Sequence, residues 1–279
     1  MSLDEAGVGP WMVDPEMLLM LRLDKAVRAL DADDPDLALV EAEELLHSRP
    51  GHVDALGVVG RAALQMGDAA MARAALERLW EQGARDAVTA LLLSQARFGT
   101  AELEGAVEAA RCATDTQPDL AAAWFQQALA LERLGRAGAA ALAWQRAHAL
   151  DGERFRLPGD VPEDVWVACL DAALGALPDP VRGFYARVPV RWATYPTLQS
   201  LRQESPPLSP LLDAMYTGSP PLDPEERLAH LPEAVTLFRG NLRLPDPQPA
   251  ALAHRILAAL VHEAQDWLGL PPEDHTEPG

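Results

Sequence analysis

The chain is 279 residues long, 49% hydrophobic but only 5% aromatic, and carries a formal net charge of −19. So acidic a chain repels phosphate backbones and anionic lipid, which argues against nucleic acid and membrane surfaces as partners. Abundant alanine favours closely packed helices, since it loses no side-chain entropy in a helix and lets backbones approach.

Residues 1–18 read as an N-terminal segment. Met1 to Pro10 is acidic and lacks a basic region followed by an apolar run, so no secretory signal is expected and the cytoplasm is the expected location. From Leu19 a step of 34 residues recurs. Ala38, Ala72, Ala106 and Ala140 are related by it, as are the small residues Ala26, Gly60, Ser94 and Ala128. A fixed period of this length marks stacked units of two antiparallel helices. Small residues are needed where the helices of a unit cross and where one unit meets the next. Gly67 and Gly135 fall in turns between helices, where a positive φ is often required. Residues 19–152, as four such units, resemble the tetratricopeptide repeat family, with most of its large aromatic positions replaced. The resemblance implies a protein or peptide partner held on a concave face lined by the first helix of each unit. Those helices offer Lys25, Arg28, Gln65, Gln95, Arg97, Gln126 and Gln127. They form no dense basic clamp, which argues against a carboxylate-terminal peptide there.

The period stops near Asp151. Residues 153–162, with Pro158, Gly159 and Pro162, read as a linker. Within 163–274 the expected elements are a helix from Val165 to Leu177 ending at Pro178, a strand from Val188 to Trp192, and a proline-rich loop from Arg202 to Asp213 running into a short helix. A strand from Val235 to Phe238 follows, then a long helix from Ala250 to Leu268 with Gly269 just past its end. Residues 275–279 read as a tail. The overall fold class is α+β: an all-α repeat region followed by a small α+β domain. Cys112 and Cys169 are far apart and outside any C-x-x-C pair, so two small core residues are expected rather than a disulfide or a zinc site.

Four stretches of the second domain, in order, resemble the minimal zincin-like metallopeptidase family of bacteria. They are Leu170 to Pro178, Ala214 to Gly218, Leu231 to Gly240 (L-P-E-A-V-T-L-F-R-G), and Val261 to Gly269 (V-H-E-A-Q-D-W-L-G). In that family the last helix bears H-E-x-x-H-x-x-G: two histidines at i and i+4 share a zinc ion, and the glutamate acts as general base on its water. By position the resemblance makes His262 the first ligand and Glu263 the base. The second histidine position holds Asp266. The third ligand position falls on Pro272, which has no donor; Glu273, Asp274 and His275 follow directly. A carboxylate in place of an imidazole lowers the Lewis acidity of an ion. The expectation is therefore a degenerate, non-catalytic module with no cofactor, attached to a protein-binding scaffold. The alternative is an atypical zinc peptidase with His262, Asp266 and Glu273 as ligands and the repeats recruiting substrate.

Overall fold

The structure is a computed structural model that describes residues 15–223, 226–227, 229–245 and 248–271. The chain divides into two compact units, Met1–Ala130 and Leu131–Gly279.

The first unit holds α1 (Pro15–Asp31), α2 (Pro35–Ser48), α3 (Val53–Gln65), α4 (Ala69–Glu81), α5 (Ala87–Gly99), α6 (Leu103–Thr116) and most of α7 (Ala121–Arg133). From α1 to α6 each helix packs on the next, and α3 touches both α1 and α5, so the first helices of successive pairs lie side by side. With α8 (Ala137–Leu150), the second helices begin at Pro35, Ala69, Leu103 and Ala137, 34 residues apart each time. These are tetratricopeptide-like repeats. The small positions do what the period predicts: Ala38, Ala72 and Ala106 are buried, as are Ala26 and Ser94. A Cβ on Gly60 would meet Leu76 at 2.6 Å, and the Ser94 hydroxyl donates to the Ala106 carbonyl at 2.6 Å.

The turn inside each pair repeats too. Asp33, Gly67, Ala101 and Gly135 all have positive φ, between 55° and 79°. Only two are glycine, so two of the four turns hold an L-residue in a conformation it rarely adopts. The following residue is the N-cap: Asp34 accepts from Leu37 N at 3.1 Å and Asp68 from Met71 N at 2.8 Å. Glu102 and Arg136, at the same places, make no side-chain cap bond. Asp68→Ala should lower stability by about 1 kcal/mol, measurable by urea denaturation, since it orphans a first-turn N–H.

The second unit contains α8, α9 (Glu163–Gly175), α10 (Val181–Tyr185), β1 (Val190–Ala193), α11 (Leu198–Leu201), β2 (Ala214–Tyr216), β3 (Val235–Phe238), α12 (Arg239–Leu242) and α13 (Pro249–Leu268). The sheet order is β1-β3-β2, with β3 parallel to β1 and antiparallel to β2. The proline-rich stretch expected to run into a short helix differs: the helical turn α11 precedes it, and it ends on β2. A three-residue strand is too short to show alternation; pairing with β3 defines it. Helix α13 packs on α9, α10, β2 and β3. Its Leu252, Ile256, Leu260, Ala264 and Trp267 recur every three to four residues and form the core with Trp166, Phe184, Val235, Leu237 and Leu242. Each valine, leucine, isoleucine or phenylalanine among them contributes about 1.5–3 kcal/mol when fully buried. Gly269, at φ 65°, closes the helix, with the Leu270 N–H donating to the Gln265 carbonyl at 2.9 Å. Both cysteines are free thiols, and Cys169 is buried in this core. No described helix is long and apolar enough to cross a membrane.

Candidate functional site on the last helix

The buried stripe of α13 contains one charged residue. Glu263 lies between Leu260 and Trp267 on the core face and is 7% exposed, while His262 and Asp266, on the neighbouring face, are exposed. All three line one cavity of about 760 Å³, whose other walls come from the 203–209 loop, β2 and Gly218 to Pro220. The helix thus brings together three of the four predicted site residues. Glu273, with Pro272, Asp274 and His275, lies outside the described residues.

Tyr216, at the end of β2, binds both acids. Its backbone N–H donates to Glu263 Oε2 at 2.9 Å, and its hydroxyl donates to Asp266 Oδ2 at 2.7 Å. Its ring meets Trp267 edge-on with centroids 5.0 Å apart. The Tyr185 hydroxyl donates to the Leu260 carbonyl at 2.7 Å, near enough to Glu263 that the carboxylate charge adds to burial in raising the phenol. Burial is the main cause that pushes the Glu263 carboxyl up to about 7; the Asp266 charge adds to it and the Tyr216 N–H opposes it. Burial also raises the Tyr216 phenol, reinforced by its bond to Asp266, so this hydroxyl remains a donor.

Sequence reasoning missed the role of Tyr216. The residue lies inside one of the four matching stretches, but only pairing of β2 with β3 brings it against α13, about fifty positions later.

A zinc centre needs three or four protein donors at about 2.0–2.3 Å. Among the described residues no three His, Cys, Asp or Glu side chains converge for a metal. His262 and Asp266 supply two donors, and one Asp266 oxygen is already engaged by Tyr216. The described residues thus supply two of the three or four donors that such a centre needs.

Residues 185–278 match the model of the family described as zincin-like metallopeptidase, so the chain carries such a domain behind its helical repeats. Among solved structures, a crystal structure of MamA is 19% identical over 49% of this chain and 75% of that one, with a TM-score of 0.46. MamA 41-end from Desulfovibrio magneticus RS-1 is 24% identical over 50% and 76%, with a TM-score of 0.44. TTC0263, a thermophilic TPR protein of Thermus thermophilus, is 23% identical over 48% and 75%, with a TM-score of 0.42. No curated protein matches the chain.

Proposed function

We propose that this protein is a non-enzymatic scaffold: the repeats hold a protein or peptide partner, and the zincin-like domain is a degenerate module whose retained acids serve packing. The observation that carries this reading is the double engagement of Tyr216. One residue of β2 donates to the glutamate in the general-base position and to the aspartate in the second ligand position. Together with the Trp267 contact, these bonds latch an edge strand to α13. The hydrogen bond from Tyr216 to the exposed Asp266 carboxylate is charge-assisted and stronger than a neutral one, which gives Asp266 a reason to persist without chemistry.

For the repeat face, three cations of the first helices are already paired within the chain, while Arg61 of α3 makes no ion pair among the described residues. Lys25 pairs with Glu41 at 2.5 Å, Arg28 with Asp24 at 2.9 Å and Arg97 with Glu77 at 3.4 Å. This supports a partner held by shape and apolar contact rather than through a terminal carboxylate.

One observation favours the alternative, an atypical metal-dependent peptidase. Glu263 opens on a cavity large enough for a peptide side chain, and a carboxyl at about 7 is well tuned for a general base. The test is hydrolysis of a quenched-fluorescence peptide library by the full chain with added zinc. The scaffold reading expects the same background rate for wild type and Glu263→Gln. Turnover by wild type that disappears in Glu263→Gln would establish the peptidase instead.

A further inference from the structure

The two bonds from Tyr216 use one oxygen of each acid. They engage Glu263 Oε2 and Asp266 Oδ2, so Glu263 Oε1 and Asp266 Oδ1 have no hydrogen-bond partner among the described residues. Glu263 is 7% exposed and lines the cavity of about 760 Å³. Its remaining oxygen is therefore an unpartnered acceptor on a nearly buried side chain that opens there.

Glu204 adds a third carboxylate to the same walls. It lies close enough for its charge to reach the Tyr216 phenol. Among the described residues no Lys or Arg lines the cavity. Every Lys and Arg of the chain is a described residue, and none of them pairs with Glu204, Glu263 or Asp266. Three carboxylates thus face one space with no lysine or arginine to offset them. A cleft lined by one sign of charge concentrates its potential and attracts the opposite charge. A nearly buried carboxylate is costly until such a charge arrives.

The placement of the donors selects the kind of cation. Among the described residues no three His, Cys, Asp or Glu side chains converge as an inorganic ion requires. An organic cation makes no such demand. Its N–H donors point in separate directions and reach carboxylates that share no centre. The rest of the wall suits an aliphatic stem: Pro207, Leu208 and Met215 are half-buried there. Long cationic side chains lay their methylenes along such a surface and keep the head on charge.

We infer that this cavity binds a primary ammonium or guanidinium carried on an aliphatic stem: the head on Glu263 and Asp266, the exposed Glu204 at the rim, the stem against Pro207, Leu208 and Met215. The inference rests on the reading of the α13 acids as holding no metal, and names what the same site takes up instead. The cation comes from either a free amine or the basic side chain of a protein partner.

Calorimetric titration of the full chain at pH 8 tests this with n-pentylamine, acetyl-Lys-amide, acetyl-Arg-amide, the uncharged acetyl-norleucine-amide, and zinc. Saturable one-to-one binding of at least one cation is expected, with acetyl-norleucine-amide weaker by about tenfold or more. Pentylamine binding as tightly as the Lys and Arg compounds identifies a free amine as the source; preference for those compounds identifies a side chain. Glu263→Gln keeps an acceptor for the Tyr216 N–H and should weaken binding by about tenfold, and Glu204→Gln by about two- to fivefold. Glu108→Gln, on the exposed side of α6, should leave it unchanged, which separates the site from the general attraction of an acidic chain. Failure of all three cations to bind, the uncharged compound binding as well as they do, an equal loss in Glu108→Gln, or a folded Glu263→Gln with unchanged affinity would each overturn the inference. Should Glu263→Gln not fold, Glu204→Gln decides: unchanged affinity overturns it. One equivalent of zinc that is lost in His262→Ala would overturn the metal-free reading and the inference with it, whereas no uptake of either zinc or amines removes the inference alone.

Discussion

Replacing Glu263 by glutamine should remove a pH dependence of stability worth about 3 kcal/mol between pH 4.5 and 7. The carboxyl is pushed from its ordinary 4.5 up to about 7 in the folded chain, chiefly by burial. The folded state therefore binds this proton more tightly than the unfolded state. The stabilisation from protonation is complete below about pH 4.5 and is lost as pH rises through 7. Glutamine has no charge to bury and keeps an oxygen to accept the Tyr216 N–H. Relative to wild type, Glu263→Gln should thus gain stability with rising pH and be the more stable protein at pH 8. Urea midpoints at pH 5, 6, 7 and 8, read as the difference between the two proteins, check this. A constant difference across that range would mean that Glu263 does not titrate there.

Gly240→Ala should destabilise the second unit by about 2–3 kcal/mol, the scale of a forced overpacking. A Cβ at this position would lie 2.0 Å from the Tyr195 ring and 2.8 Å from the Thr194 carbonyl oxygen. The ring is held beneath Arg133, and the carbonyl accepts the Gly240 N–H at 2.9 Å, so neither neighbour yields without breaking another contact. The glycine of the L-F-R-G stretch is thus explained by close approach rather than by a special φ. Gly138→Ala is the control. It lies in the first turn of α8 with nothing within 4 Å of the added Cβ, so it should be neutral or raise stability by up to about 1 kcal/mol. Thermal denaturation of the two variants beside wild type separates these outcomes.

The repeats are legible because each unit meets the same steric demand at the same place. Ala38, Ala72, Ala106 and Ala140 recur for that reason, and all are buried. The left-handed turns at Asp33 and Ala101 are not legible, since only Gly67 and Gly135 show the glycine that signals them. In the second unit Val235–Phe238 is readable as a strand of four apolar or β-branched residues, and α13 from its spacing and terminal glycine. β2 is hidden, because its three residues acquire their partner from a strand about twenty positions away. The same gap hides Tyr216 as the partner of Glu263 and Asp266. The contacts of Arg133 with Asn241 and of Arg243 with Glu132 are hidden more deeply, joining positions more than a hundred residues apart with no motif to link them.

We propose that the acids of α13 form a latch to β2 and do not ligate an ion. Elemental analysis of the purified full chain, followed by calorimetric titration with zinc at pH 7, tests it most directly. The latch predicts zinc well below one equivalent and no saturable uptake that depends on His262. One equivalent of tightly held zinc that is lost in both His262→Ala and Asp266→Ala would contradict it.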